Sequence, residues 1–313
     1  MADNFISIGE AIHASIPKTG KVMKDLTKLG RLAYSTPSEP LDYIKGLIES
    51  QAAEGADYIA VNLDAFGEED PHNAAKMMAE YTKMVHRWGG GVPVCIDSSD
   101  DNVLKAGLKE WYNTDEAVRQ PLINSVKVYT MDNMLPLKAK HDFAFVGLLI
   151  SETAESPSVE KLHSLARRIF DEATGKYRFK PQEIFFDSTI FPLAIDMPMQ
   201  PGEPSFTYKT FETIKKIKSD RQMQGVHFTG GITNCARDLP GRKVGVMRAY
   251  VHKAMEYGMD AGIVNVKSRL HEGQAAPELL ELVEAYARMD RSVERMNEAM
   301  MLMGKFCQEC RGR

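Results

Sequence analysis

The chain has 313 residues, a mass of 35.0 kDa and a formal net charge of −4. With 43% hydrophobic and 26% charged residues, its composition is too apolar for a disordered chain and too balanced in charge for a general nucleic-acid binder. No apolar run reaches the ~18 residues that a membrane span requires.

Short apolar segments alternate with longer segments of helical period along the chain. The predicted strands are Phe5–Gly9, Tyr58–Leu63, Pro93–Ser98, Leu122–Lys127, Phe143–Ile150, Glu183–Thr189, Gly225–Gly230 and Ala261–Val266. The predicted helices are Leu41–Ala53, Asn73–Trp88, Asn102–Trp111, Met131–Lys140, Val159–Ala173, Thr207–Lys218, Arg242–Tyr257 and Pro277–Met289. Strand–helix units therefore repeat along the chain in strict order.

Such repetition predicts parallel strands joined by right-handed crossovers. Eight strands close into a barrel with a filled interior, and no G-x-G-x-x-G follows the first strand to indicate an open dinucleotide-binding sheet. We therefore predict an α/β fold, a single (β/α)8 TIM barrel over about residues 4–289 of one domain spanning 1–313. A long β1–α1 loop over residues 10–40 and an extra carboxyl-terminal helix over about 290–306 lie outside the repeat.

The extra helix and the cysteines give weaker signals. A methionine stripe in the helix favours adaptable packing, here at the interface of a homodimer. Cys95 falls in an apolar strand and is expected to be buried, while Cys307 and Cys310 form a lone CxxC without the second ligand pair of a zinc site. The amino terminus lacks the pattern of a secretory signal, which predicts a cytoplasmic location. The stripe consists of Met296, Met300, Met301 and Met303.

Polar residues mark the carboxyl ends of five predicted strands, where barrel enzymes carry their active sites. They are Asn62, Asp97, Asn124, Asp187 and Asn265. Any one of them has an ordinary explanation as a helix cap, but five together favour convergence on a ligand. Carboxylates and amides without aligned cations suit a neutral heterocycle with a guanidine-like N–H edge better than a phosphate. The chain has no H-x-H on strand one and no H-E-x-x-H, so we expect no metal site.

The segments around these residues carry a family resemblance that extends over roughly residues 4–270. They are Ile8-Gly9-Glu10, Gly55-Ala56-Asp57-Tyr58, Ile96-Asp97-Ser98-Ser99, Leu122-Ile123-Asn124-Ser125, Asn234-Cys235 and Gly258-Met259-Asp260-Ala261-Gly262-Ile263. In order and spacing they resemble the pterin-binding barrels, and among them the methyltetrahydrofolate:corrinoid methyltransferases.

The resemblance implies a pterin site and a reaction. Asp97, Asn124 and Asp187 would hold the pterin ring, with Asn62, Asn265 and Gly230 around it. The enzyme would move a methyl group between N5 of tetrahydrofolate and the cobalt of a corrinoid (cobalamin). Because the repeat fills the chain, we expect a separate corrinoid-binding protein to carry the cobalt.

Two departures from the family pattern concern the contact to N5. Glu10 is followed by Ala11-Ile12-His13, where Arg and Asn are usual, and Gly230 stands where the strand-seven Asn is expected. Asn234, His227 and His13 are the candidates to replace it. The candidate catalytic residues are therefore Asp97, Asn234 and His227, with Glu10 and His13 as possible loop contacts.

The direction of transfer follows from the state of N5. A neutral N5 is directly a nucleophile toward methyl-cobalt, which favours transfer from methylcorrinoid to tetrahydrofolate, as in demethylation pathways. The reverse reaction, as in the acetyl-CoA pathway, and a non-catalytic pterin-binding protein remain alternatives. A third alternative is dihydropteroate synthase, for which Lys267 and Arg269 are the candidate pyrophosphate contacts.

Overall fold

The computed structural model describes residues 5–151, 157–197 and 202–311. Parallel strands form one sheet in the order β7-β6-β5-β4-β3-β2-β1-β8, which confirms the predicted barrel and all eight predicted strands. The strands are β1 (Ile6–His13), β2 (Tyr58–Asn62), β3 (Val94–Asp97), β4 (Leu122–Val126), β5 (Ala144–Leu148), β6 (Ile184–Asp187), β7 (His227–Phe228) and β8 (Ala261–Val264).

The seam between β7 and β8 closes the barrel with few contacts. The Ile263 backbone N–H donates to the Gly230 carbonyl at 2.9 Å, and the Asp260 N–H donates to the Phe228 carbonyl at 3.4 Å. Gly231 and Ile263 form an isolated parallel bridge one step further along. The two-residue strand β7 is therefore held to β8 mainly by backbone that lies beyond its own carboxyl end.

The helices surround this sheet and mostly follow the strands one by one. They are α1 (Pro17–Thr27), α2 (Glu39–Ala53), α3 (Asp64–Gly67), α4 (Pro71–Trp88), α5 (Asp101–Trp111), α6 (Met131–Met134), α7 (Val159–Gly175), α8 (Phe206–Ser219), α9 (Lys243–Tyr257), α10 (Pro277–Ala287) and α11 (Val293–Arg311). Among the described residues, every helix is too short or too polar to span a lipid bilayer.

Two segments differ from the sequence prediction. The segment 10–40, expected to be a loop, contains the end of β1 and the helix α1, whose buried residues Thr19, Met23 and Leu26 show helical spacing. Gly20 interrupts that apolar pattern, yet a Cβ there would lie 2.1 Å from the Ala14 carbonyl oxygen, so the close approach requires glycine. The predicted helix 131–140 ends at Met134 and continues as a 3-10 helix, because Pro136 lacks a backbone donor.

Two layers of apolar side chains form the core. Inside the barrel, a small cluster combines Ile8, Cys95, Leu122, Val146 and Phe185 with alanines of β2, β5 and β8, so the predicted burial of Cys95 is confirmed. The larger cluster fills the space between sheet and helices. Because the barrel is filled with side chains, a ligand is accommodated at its mouth.

The carboxyl-terminal helix α11 confirms the predicted extra helix and extends it to Arg311. It packs on α10, and Met296 and Met303 lie against the core. Met300 and Met301 are 51% and 68% exposed, so only part of the methionine stripe packs within the chain.

A half-buried polar cluster secures the seam at the amino ends of the strands. Asp260 accepts hydrogen bonds from Lys218 Nζ at 2.6 Å, from the Phe228 N–H at 2.9 Å and pairs with His227 Nδ1 at 3.0 Å. Burial alone would raise the pKa of Asp260, but the His227 hydrogen bond and the Lys218 charge together hold that pKa below its usual value.

We predict that Asp260→Asn lowers the free energy of unfolding by about 2 kcal/mol, because it leaves Lys218 without its countercharge at a half-buried site. Denaturant unfolding monitored by circular dichroism measures the change. The control is Asp171→Asn, because Asp171 is 57% exposed and its partner Arg167 retains a second carboxylate in Asp220; it should cost no more than about 0.5 kcal/mol. Equal losses in both variants would contradict the special role of the seam.

Candidate active site

The strand register places four polar side chains side by side at the carboxyl ends of β1 to β4. His13 pairs with Asn62, Asn62 with Asp97, and Asp97 with Asn124. Asn62 and Asn124 are 8% and 9% exposed. The end of β6 adds Asp187, so polar groups from five strands meet at the mouth of the barrel.

Asp97 is partly buried and is held by an amide. Asn62 Oδ1 accepts from the Asp64 N–H at 3.1 Å, which directs the Asn62 amide N–H toward the Asp97 carboxylate. Burial raises the pKa of Asp97 to about 7, the Asn62 hydrogen bond opposes this rise, and the nearby charges of Asp64 and Asp187 add to it. Asp97 thus has fewer donors than an ionised carboxylate can use, and a ligand with N–H groups would supply them.

Asp187 is 8% exposed and has a similar environment. Its Oδ1 accepts from the Thr189 N–H at 2.7 Å, and burial raises its pKa to about 6. Gly230, which follows the neighbouring strand β7, faces it, since a Cβ there would lie 3.6 Å from Asp187 Oδ1 and 2.7 Å from Ile190 Cδ1. Gly230 therefore contributes space beside Asp187, and a larger residue would displace Ile190.

Asp64, which sequence reasoning missed, fixes the loop after β3. Its carboxylate accepts from Ser98 Oγ at 2.6 Å and from the Ser99 N–H at 2.9 Å. The position of Asp64 two residues after Asn62 is the only local signal for this role. The contacts hold the backbone that follows Asp97.

Glu10 and His13 lie on β1 itself, because that strand extends through His13 rather than ending at Gly9. Glu10 accepts from Thr233 Oγ1 at 2.6 Å and from the Asn265 backbone N–H. Burial raises the pKa of Glu10, and these two hydrogen bonds oppose the rise. Glu10 therefore connects β1 to the segments after β7 and β8.

The tautomer of His13 is set by its neighbour. His13 Nδ1 accepts from the Ser15 backbone N–H at 3.1 Å, so the neutral ring carries its proton on Nε2. Burial lowers the pKa of His13, and the Asp64 charge opposes that change. A neutral His13 thus offers a hydrogen-bond donor at the mouth.

A cavity of about 630 Å³ opens at this end of the barrel, within the range of small-molecule sites. It brings together Asp97 and Asp187 with Glu10, His13 and Asn234. Asn234 lies in a 3-10 helix after β7 and lines the cavity beside Gly231, where an added Cβ would lie 3.0 Å from Asn234 Nδ2. Other lining residues that sequence reasoning missed are Ser15, Ile16, Gly231, Thr233, Ala236, Arg237, Lys243, Met247 and Ile263.

Five of the predicted residues do not line this cavity: Asn62, Asn124, Gly230, His227 and Asn265. The first three lie next to residues that do, since Asn62 and Asn124 pair in register with Asp97 and Gly230 lies beside Asp187. The other two make different contacts. His227 starts β7, pairs in register with Phe185 and binds Asp260, which places it at the amino end of the strands. Asn265 is at the correct end, but it contributes its backbone N–H to Glu10 and its side chain does not line the cavity. The apolar pattern predicted strand seven, but it did not indicate whether His227 lies at the amino or the carboxyl end of that strand.

A groove of about 700 Å³ lies outside the barrel, between α7 and α8. Its charged side chains neutralise one another: Lys216 lies 3.4 Å from Glu160 and Lys215 lies 3.8 Å from Glu212. It lacks the converging buried carboxylates of the mouth, so the mouth is the better candidate site. Within the described ranges, no three His, Cys, Asp or Glu side chains are arranged to hold a metal ion.

Relatives among the curated proteins include two of very different length. The chain is 26% identical over 270 residues to the methylcorrinoid:tetrahydrofolate methyltransferase of Eubacterium limosum, covering 84% of this chain and 86% of that protein. It is 25% identical over 275 residues to methionine synthase of Mycobacterium tuberculosis, covering 83% of this chain and 22% of that larger protein.

Solved structures show the same fold. Dihydropteroate synthase of Coxiella burnetii in complex with pteroic acid superposes with a TM-score of 0.52 at 11% identity, covering 97% of this chain and 95% of that one. Dihydropteroate synthase of Xanthomonas albilineans with 4-aminobenzoic acid gives 0.50 at 14% identity, covering 85% and 88%. The model of the pterin binding enzyme family matches residues 39–265, most of the barrel and its mouth, and the chain belongs to that family.

Proposed function

We propose that this protein transfers a methyl group from the cobalt of a protein-bound methylcorrinoid to N5 of tetrahydrofolate. The observation that carries the proposal is the pair of donor-poor carboxylates, Asp97 and Asp187, in one cavity at the barrel mouth. The similarity to the methylcorrinoid:tetrahydrofolate methyltransferase, over most of both chains, supports the reaction.

The two carboxylates suit the pyrimidine half of a reduced pterin. Its amino group and ring N–H groups form a guanidine-like edge, and such an edge makes short charge-assisted bonds to carboxylates. The ring supplies the donors that Asp97 and Asp187 lack, which stabilises their ionised forms inside the cavity. Asn62 and Asn124 lie on the strands beside Asp97 and offer amide groups for the remaining ring positions.

Asn234 and His13 are the proposed contacts for the reacting half of the ring. Both line the cavity, and both offer N–H donors without a net charge when His13 is neutral. A neutral donor can orient N5 and leave its lone pair directed toward the methyl group. Asn234 takes the part that the family pattern assigns to a strand-seven Asn.

The transfer is an in-line displacement, in which positioning supplies most of the catalysis. The N5 lone pair attacks the methyl carbon, the bonding electron pair remains on cobalt, and N5 releases its proton to water. The reverse transfer requires a protonated N5 as leaving group, so the neutral amine favours the proposed direction. A separate corrinoid-binding protein would present its cobalt at the open mouth.

The geometry does not favour pyrophosphate chemistry at the residues expected for it. Lys267 and Arg269 do not line the mouth cavity, and Arg269 pairs with Glu272 at 3.3 Å. Formation of dihydropteroate from a pterin pyrophosphate and p-aminobenzoate would nevertheless be decisive against the methyl-transfer proposal.

The first prediction from the proposed function concerns the activity and its dependence on Asp187. The protein mixed with methylcobalamin and tetrahydrofolate should convert the methylcob(III)alamin spectrum to that of cob(I)alamin under anaerobic conditions. Asp187→Asn should weaken tetrahydrofolate binding about 10- to 100-fold, because a charge-assisted bond becomes a neutral one. No spectral change with free or protein-bound corrinoid would overturn the proposed reaction.

The second prediction separates Asn234 from His227. Asn234→Ala should lower kcat about tenfold with a smaller change in KM, because the donor acts on the reacting nitrogen. His227→Gln should leave kcat unchanged and lower the melting temperature, since His227 supports the seam. The reverse pattern would show that the mouth assigned here is the wrong end of the barrel.

The third prediction is that binding and stability oppose each other at Asp97. Asp97→Asn should weaken pterin binding and raise the free energy of unfolding by about 1 kcal/mol at pH 7.5, because the amide avoids burying a charge. The pKa of Asp97 is raised to about 7 in the folded chain, against an ordinary value of 3.8. The gain therefore shrinks as pH falls below about 7 and vanishes only below 3.8, where the wild-type carboxyl is protonated in both states.

Asp64→Asn is the matched comparison, since its carboxylate has the donors Ser98 and Ser99. This variant should lose stability. A stabilising Asp64→Asn, or an Asp97→Asn variant that is less stable at pH 7.5, would contradict the assignment.

A further inference from the structure

We propose that Arg237 and Lys243 form an anion subsite that binds the glutamyl carboxylates of a folate and thereby selects folates over tetrahydropterins without that tail. The inference rests on the proposed function, because it concerns the far end of the same ligand. It assigns residues of the mouth cavity to the glutamyl end of that substrate and extends the expected substrates to folates with more than one glutamyl residue.

The two cations face the cavity without a counterion. Both line it and both are exposed. In the part of the chain that the structure describes, neither makes an ion pair or a side-chain hydrogen bond. The neighbouring Arg242, by contrast, lies 2.6 Å from Glu278 and 3.7 Å from Glu309. In a chain of net charge −4, two unpaired cations beside a ligand cavity are available for an anion.

The topology places these cations across the mouth from Asp97. Asp97 ends β3, whereas Arg237 and Lys243 follow β7, and β3 and β7 are four strands apart in the closed order of the barrel. They therefore lie on the side of the eight-stranded mouth opposite Asp97, with Asp187 on β6 between the two. A ligand that contacts both sets must be elongated, with N–H donors at one end and negative charge at the other.

The segment that carries the cations is held in a defined conformation. Asp238 and Arg242 have left-handed backbone angles, with φ of 64° and 49°. Gly241 packs against α11, where an added Cβ would lie 3.5 Å from Cys310 Sγ. Together with the Arg242 ion pairs, these contacts fix the backbone positions of Arg237 and Lys243. Less conformational entropy is then lost when the two side chains bind an anion.

A reduced folate has the required shape and charge. Its pterin ring offers the N–H edge, the aminobenzoyl group is a rigid spacer, and each glutamyl residue adds a carboxylate. A tetrahydropterin with a methyl group in place of the tail has the first part alone. The subsite should therefore leave the binding of the tail-less pterin unchanged and strengthen that of the folate.

Because the cations are exposed, each contributes modestly and is screened by salt. We expect a loss of about 2- to 5-fold in folate affinity for Arg237→Gln or Lys243→Gln at low ionic strength. The double variant should lose about tenfold, and tetrahydrofolate triglutamate should lose more than the monoglutamate.

The experiment is calorimetric titration of the full chain at about 25 mM and 300 mM salt. The titrants are 6-methyltetrahydropterin, tetrahydrofolate monoglutamate and its triglutamate. The variants are Arg237→Gln, Lys243→Gln and the double change. Lys109→Gln is the matched control, because Lys109 is an exposed lysine on α5 outside the cavity.

The proposal is supported if only the glutamylated ligands lose affinity in the variants and if high salt removes the difference. It is overturned if folate affinity does not fall, or if it falls equally for the tail-less pterin. It is also overturned if inorganic pyrophosphate binds the wild type at micromolar concentration and the double variant does not, since that favours a pyrophosphate site.

If the wild type binds the tail-less pterin but the variants bind folate normally, the pterin site stands and the tail subsite fails. If the wild type binds none of the three, the proposed function fails with it.

Discussion

The chemistry of the mouth depends on carboxylates that are buried with too few donors. Asp97 and Asp187 have raised pKa values because burial removes water and the protein replaces it with only one amide or backbone hydrogen bond each. At the opposite end of the same barrel, Asp260 is half-buried, and Lys218, His227 and a backbone N–H hold its pKa down. The fold thus uses one residue type in two ways. Asp260, which has enough hydrogen-bond donors, stabilises the fold. Asp97 and Asp187, which have too few, lower the stability of the free protein, and a ligand that supplies donors can recover that stability.

The short seam between β7 and β8 explains how the mouth keeps its shape. Strand β7 has only two residues, so regular pairing cannot fix the backbone that carries Asn234. Glu10 compensates from β1, through Thr233 on one side and Asn265 on the other. Gly230 allows Ile190 and Asp187 to approach the same point of the seam. The contact between Glu10 and Thr233 spans 223 positions in sequence, so it belongs to the folded barrel and to no local motif.

The difference between local motifs and contacts of the folded barrel also explains which features could be predicted from the sequence and which could not. Apolar runs bounded by turn residues located all eight strands, and strand ends located Asp97, Asn124 and Asp187, because period and polarity are local properties. Helix α1 was missed, since Gly20 interrupts its pattern for a reason that lies in the Ala14 backbone. His227 was a candidate because a two-residue strand does not reveal which of its ends faces the mouth. The roles of Asn62 and Asp64 as partners of Asp97 and Ser98 required the register between strands.

The carboxyl-terminal helix, although outside the eightfold repeat, acts on the same mouth. Glu309 and Cys310 lie near the end of α11 and contact Arg242 and Gly241, in the loop between β7 and α9. This placement gives Cys310 a packing function that needs no second pair of cysteines. It also means that the loop bearing Arg237 and Lys243 is supported from outside the barrel, while Asp97 and Asp187 are supported from within it. A ligand that spans the mouth would therefore contact two separately stabilised parts of the chain, with the buried carboxylates at its pterin end supplying most of the affinity and the exposed cations a smaller part.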